Sequence, residues 1–168
     1  MLITEEYRQQ NKALHEDNAA YGTSGHKYAD AIRSLCAAVG SHDILDYGCG
    51  KGTLGQALKL RISEYDPCIK GKDDAPEPAD VVVCTDVAEH LELDCLDDVL
   101  ADLARVTNRV LFMTICVVPA RKVLPDGRNA HILLRPMHWW AERLSDYFEW
   151  VSYQNEGGTF IAVLRPKA

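Results

Sequence analysis

The chain has 168 residues, 47% of them hydrophobic and 26% charged, with a formal net charge of −7. That size lets one domain, 1–168, bury a core without staples, and the proportions are those of an ordinary globular protein. Acidic residues spread along the chain disfavour affinity built on sequence-independent phosphate contacts, which counts against duplex nucleic acid, although Arg121, Lys122, Arg128 and Arg135 form a local basic cluster.

Residues 3–18 have helical composition, and 1–20 are expected to act as a helical cover segment over an edge of the fold or its active site. Tyr21-Gly22-Thr23-Ser24-Gly25 is a loop by its glycines and hydroxyls. The spacing of Tyr28, Ile32, Leu35 and Val39 predicts a helix over 26–39. A short buried strand is expected over 43–47, broken by Gly48, and a helix over 53–60. A second strand, 62–65, stops at Asp66-Pro67, and 68–79 is a Lys-, Asp- and Pro-rich loop. Residues 81–84, Val-Val-Val-Cys, form the clearest buried strand.

Leu96, Val99, Leu100 and Leu103 share one face of a helix predicted over 94–106, and another strand lies within 109–118. After a loop with Pro119, Pro125 and Gly127 comes a helix to Tyr147 with Pro136 at its first helical position. Strands at 149–154 and 159–164, joined across 155–158, close the chain as an antiparallel hairpin. Alternating strands and helices imply an α/β fold: a mainly parallel sheet between two helical layers. No apolar run nears the roughly 20 residues needed to span a bilayer, and residues 1–18 are too polar and acidic for a secretion signal, so the expected location is cytoplasmic. The six cysteines include Cys84 and Cys116 inside apolar runs and no C-x-x-C pair, which predicts reduced thiols.

The strongest local signal is Asp46-Tyr47-Gly48-Cys49-Gly50-Lys51-Gly52, between a strand and a helix. Its glycines allow a tight turn and a close-lying ligand, and ligands of such folds sit at the carboxyl ends of the strands. Asp66, at the end of the next strand, can accept hydrogen bonds from both hydroxyls of a ribose. Gly50, Gly52 and Gly55 also satisfy the dinucleotide pattern G-x-G-x-x-G, which keeps an NAD-dependent oxidoreductase open. Asp46 would repel a pyrophosphate but favour the ammonium of a methionine-like group. The plain alternative is that the glycines make only a turn.

These residues, with Val83-Cys84-Thr85-Asp86 leading into Val87-Ala88-Glu89-His90-Leu91, resemble the class I S-adenosylmethionine-dependent methyltransferases over about 44–114. The resemblance implies a Rossmann-like three-layer sandwich with S-adenosyl-L-methionine as cofactor. It implies that Gly48 and Gly50 pass the methionine part, that Asp46 and Gly52 also bind the cofactor, that Asp66 holds the ribose, and that Thr85 and Asp86 border the methyl-transfer site. The family usually fits a helix, a strand and another helix where this chain has only Pro67 to Ala79. A strand and at least one helix are therefore expected to be missing, with adenine either contacted by the Lys72-Asp73-Asp74 loop or held more loosely. The chain lacks the run ahead of an aromatic residue that marks amino-methylating DNA enzymes, and the Pro-Cys nucleophile of cytosine C5 enzymes.

A second constellation is Asp86, Glu89, His90 and the later His131. If a helical turn begins at Asp86, its carboxylate, Glu89 and His90 share a face, a set suited to a divalent metal that could hold an acceptor hydroxyl. The run is similar to the E-x-x-E-H signature of metal-dependent O-methyltransferases, with Asp86 in place of the first Glu and His131 a candidate to complete the site. Asp86 and His131 are the candidate catalytic residues, His131 as general base. The competing reading gives Glu89 and His90 packing and capping roles, makes His131 a turn cap, and has Trp139 and Trp140 seat a helix on the sheet. The expected activity is methyl transfer to a small-molecule or sugar-like acceptor, oxygen preferred over nitrogen. A non-catalytic cofactor-binding partner protein is the remaining alternative.

Overall fold

Val81, Val82, Val83 and Cys84 are each no more than 1% exposed, so both faces of their strand are covered. The computed structural model, which describes residues 1–167, shows what covers them. In chain order the elements are α1 (Glu5–Asp17), α2 (Ala29–Val39), β1 (Ile44–Tyr47), α3 (Thr53–Leu58), β2 (Ser63–Tyr65) and β3 (Ala79–Thr85). Then follow α4 (Leu96–Val106), β4 (Thr107–Cys116), α5 (Met137–Tyr147), β5 (Phe148–Glu156) and β6 (Thr159–Pro166).

One six-stranded sheet results, in the order β2-β1-β3-β4-β6-β5. Strands β2, β1, β3 and β4 pair parallel, and β6 pairs antiparallel with both β4 and β5. The hairpin therefore reverses β6 alone and returns β5 to the common direction. Its turn is Gly157-Gly158, both at positive φ, the form that matches the twist of flanking strands.

Alternation along the strands sorts residues between two cores. Val81, Val83, Val110 and Phe112 pack with Ile32 and Cys36 of α2 and Leu54 and Leu58 of α3. Val82, Cys84, Leu111 and Met113 pack with Leu96, Val99, Leu100 and Leu103 of α4 and with Trp140 and Leu144 of α5. This is the expected Rossmann-like three-layer sandwich. A third, smaller cluster joins Tyr7 of α1 to Leu124 and Ala130 of the segment after β4.

Several boundaries differ from expectation. Residues Ser24–Tyr28 form a 3₁₀ turn ahead of α2, and Leu93–Cys95 another ahead of α4. Pro136 is the N-cap of α5, not its first helical residue, because its ψ of 158° is extended. No strand or helix forms between β2 and β3, which leaves β2 at the sheet edge. All six cysteines are free, and no described helix is long and apolar enough to cross a membrane.

Leu100 is fully buried in the larger core. Leu100→Ala should lower stability by about 2–5 kcal/mol, through lost transfer energy and a residual cavity, read as a shift in the denaturant midpoint at constant slope.

Candidate active site

The carboxyl ends of β1, β2 and β3 open into a cavity of about 860 Å³, within the range of small-molecule sites. Its inner wall carries Asp46, Gly48, Asp66, Thr85, Asp86 and Glu89, each delivered by a strand end or by the turn that follows it.

Asp66 is 7% exposed and uses both carboxylate oxygens. Oδ2 accepts the amide of Gly50 at 3.0 Å and Oδ1 that of Cys68 at 2.9 Å. These bonds tie the glycine turn after β1 to the exit of β2. Asp46, 2% exposed, lies at the end of β1 on the same wall. Burial pushes its carboxyl up to about 7, and the charges of Glu64 and Asp66 push the same way.

The turn glycines are required by the chain's own packing. A Cβ on Gly48 would collide with Val87, and one on Gly50 with the carbonyl oxygen of Gly22. Gly48 and Gly50 nevertheless border the cavity. Gly52 does not. A Cβ there would meet Glu64 and Lys72, so Gly52 lies at the back of the turn, outside the cavity lining. The Lys72-Asp73-Asp74 loop lies outside the cavity lining too. Lys72 pairs with Glu64 at 2.8 Å and donates to the Gly50 carbonyl at 3.3 Å, bracing the turn from behind. Pro67 and Cys68 stand on the wall instead, with Tyr7, Asn11 and His15 of α1 also lining the cavity.

The segment after α1 crosses the turn as a strap. The Lys51 amide donates to the Gly22 carbonyl at 2.8 Å, Lys51 Nζ to the Asn18 carbonyl at 2.9 Å, and Thr53 Oγ1 to the Thr23 carbonyl at 3.0 Å. Tyr21 donates its hydroxyl to Asn11 Oδ1 at 2.9 Å and lines the cavity. Sequence patterning reveals only a loop here. The usable signal was Gly22 itself, since a glycine facing a glycine turn permits main chain to lie on main chain.

Asp86 adopts a left-handed backbone, φ 55°, which Asp tolerates better than most residues. Thr114 of β4 holds it there: the Asp86 amide donates to Thr114 Oγ1 at 3.0 Å, and that hydroxyl donates to Asp86 Oδ1 at 2.9 Å. The Tyr28 hydroxyl lies against the same pair, and burial, with Asp86 nearby, raises the phenol above its ordinary range. Neither Thr114 nor Tyr28 was legible as a site residue, because each enters by tertiary pairing.

No helical turn starts at Asp86. The chain leaves it through Val87 into a 3₁₀ turn, Ala88–His90, so Asp86 does not share a face with Glu89 and His90. Instead Glu89, His90 and His131 gather, one ligand-capable atom from each lying within 4.8 Å of the others. Asp86 is absent from this group, which corrects its place in the expected ligand set. Glu89 is fully buried; Oε1 accepts the Cys116 amide at 3.0 Å, and burial lifts the carboxyl to about 8. His90 is lowered to about 4, first by burial and then by His131. The loop after β4 is bound to the turn by the Leu133 amide, which donates to the Glu89 carbonyl at 3.0 Å.

A side chain at Gly22, φ 71°, would also press on His15 and on the backbone of Gly50. Gly22→Ala should therefore cost roughly 1–3 kcal/mol from strain and displacement of the strap. A thermal melt and proteolysis within residues 18–24 would read it, and an unchanged melt with no new cleavage would refute the tight packing.

No protein-family model and no curated protein matches the chain, but solved structures do. The Burkholderia thailandensis 1,6-didemethyltoxoflavin-N1-methyltransferase, solved with 1,6-didemethyltoxoflavin and S-adenosylhomocysteine, is 17% identical with a TM-score of 0.69, over 96% of this chain and 87% of its own. The DhpI–SAH complex is 18% identical with a TM-score of 0.65, over 97% and 98%. Magnesium protoporphyrin IX methyltransferase from Synechocystis PCC 6803, with bound SAH, is 16% identical with a TM-score of 0.60, over 83% of each chain. Joined to the strand order and to the position of the cavity, these likenesses establish that the chain has the Rossmann-like fold of the S-adenosylmethionine-dependent methyltransferases.

Proposed function

We propose that the protein binds S-adenosylmethionine in this cavity and transfers its methyl group to the oxygen of a small hydroxylated, sugar-like acceptor. The observation that carries the reading is the convergence of Asp46, Asp66 and the bare main chain of Gly48 on one wall. A sulfonium cofactor with a free ammonium and a ribose diol matches that wall. Asp46 supplies charge to the ammonium and Asp66 accepts from the diol. Nicotinamide dinucleotides match it poorly, because their pyrophosphate would meet three carboxylates, Asp46, Asp66 and Asp86, on one wall. The Gly50 amide is moreover already engaged by Asp66.

In the transfer, the acceptor oxygen forms a bond to the methyl carbon in line with the breaking carbon–sulfur bond. The electron pair stays on sulfur, leaving a neutral thioether. Holding the two reactants in line supplies much of the acceleration. The acceptor's proton leaves to a base, and the cavity offers two, Asp86 and His131. Thr85 borders the same space at the end of β3. The support for oxygen is the presence of bases beside that space: a hydroxyl needs its proton removed, whereas a neutral amine already has its lone pair free.

Calorimetry with S-adenosylhomocysteine and with NAD tests the cofactor. Saturable binding of the first and none of the second is expected; the reverse ends the proposal. Asp46 gives a pH signature. Burial pushes its carboxyl up to about 7 in the free protein, and an adjacent ammonium favours the ionised form. Below about pH 7, binding should therefore release a proton, and affinity should fall by up to tenfold per pH unit, with a plateau above. Asp46→Asn should flatten that slope.

Methyl-label transfer to a panel of hydroxylated acceptors tests the chemistry. For an acceptor so found, Asp86→Asn should lower kcat about 10²- to 10⁴-fold while donor affinity stays within a few-fold. Loss of donor binding in place of turnover would remove Asp86 from the chemical step.

A further inference from the structure

Glu89, His90 and His131 come from two segments, the 3₁₀ turn after β3 and the loop after β4, and their ligand-capable atoms gather within 4.8 Å. The hydrogen bonds around them fix what each presents. His90 Nδ1 lies 2.7 Å from the Ala130 carbonyl oxygen, and His131 Nδ1 lies 2.7 Å from that of Val118. A carbonyl only accepts, so Nδ1 of each ring carries the proton and Nε2 of each neutral ring keeps its lone pair. Glu89 Oε1 takes the Cys116 amide, but Oε2 has no partner although the residue is fully buried.

The two Nε2 atoms and Oε2 are thus the atoms left to bind a ligand. Native structures seldom leave such a group unpartnered, and one proton could serve only a single pair. A divalent cation would satisfy all three. The backbone carbonyls on both Nδ1 positions are also the outer partners that orient ligating histidines.

We infer that Glu89, His90 and His131 form a mononuclear site for a divalent transition-metal ion, with its open coordination positions facing the cavity. Two imidazoles and one carboxylate suit the range from manganese to zinc; magnesium and calcium favour all-oxygen sets. The exclusion of Asp86 removes the second carboxylate and tips the balance toward nitrogen-loving ions. Three protein ligands leave room for an exchangeable oxygen, the pattern of catalytic sites. All three residues line the cavity that contains Asp46, Asp66 and Asp86.

The role of the metal rests on the proposed methyl transfer: the open position takes the acceptor's hydroxyl oxygen and lowers its pKa. His131 Nε2, engaged by the ion, is then no longer a base, and the acceptor's proton passes to Asp86.

The test uses chelator-treated full-length protein titrated with Co²⁺, followed by calorimetry and by visible absorption, which reports ligation without any turnover. One-to-one binding with a d–d spectrum is expected. Glu89→Gln and His131→Ala should each weaken it roughly 100-fold or more, while His138→Ala, at an exposed position, should leave it unchanged. The wild-type spectrum needs no variant and decides even if Glu89→Gln does not fold. S-adenosylhomocysteine binding is measured on the same samples. No saturable Co²⁺ binding beside normal S-adenosylhomocysteine binding overturns the metal site and leaves methyl transfer standing. Co²⁺ binding without S-adenosylhomocysteine binding upholds the site and removes its assigned role. Co²⁺ binding indifferent to both substitutions overturns the site.

Discussion

The carboxylate of Asp66 holding the Gly50 amide is the interaction on which the rest of the site depends. A charge-assisted bond of this kind contributes about 1.5–3 kcal/mol. It connects two strand ends that pair for only three residues, Leu45–Tyr47 against Ser63–Tyr65. With the turn pinned, its main chain offers a surface to which Gly22 docks, and the strap draws α1 over the cavity. The Glu64–Lys72 pair supports the turn from the opposite side. Asp66 thereby organises the floor and part of the roof, and the Glu64–Lys72 pair the back.

That arrangement concentrates negative charge. Asp46, Asp66 and Asp86 share a wall, and Asp46 holds its proton toward neutral pH, first through burial and then through the charges of Glu64 and Asp66. Beside these carboxylates a cation is favoured over an anion, although Lys27, Arg121 and Lys122 also line the cavity. The cost of gathering carboxylates in a partly dry space is offset when a positively charged ligand arrives. Cation binding and pocket electrostatics are therefore two aspects of one design.

Glu89 links the two ends of the cavity. Its backbone carbonyl receives Leu133, its Oε1 receives Cys116, and its Oε2 is left without a partner. The loop after β4 is thus registered to the turn after β3 through a single residue. This is how His131, remote in sequence, reaches His90, with ring centroids 5.0 Å apart.

The sequence by itself determined the layering and the glycine turn that borders the cavity. Val81–Cys84 is apolar at every position, so its strand had to be covered on both faces, and the helical stripe of Leu96, Val99, Leu100 and Leu103 identified one of the covers. Glycines between a strand and a helix, followed by an acid at the next strand end, marked the turn and its partner because those are local backbone requirements. Only the tertiary structure decided which glycines meet the cavity: Gly48 and Gly50 border it, whereas Gly52 backs onto Glu64 and Lys72. It alone separated Asp86 from Glu89 and His90, because Thr114 on a neighbouring strand clamps Asp86 in a left-handed conformation and breaks the helical spacing. Local pattern sets the dihedrals a segment prefers; the partner that overrides them comes from distant chain, and no periodicity encodes it.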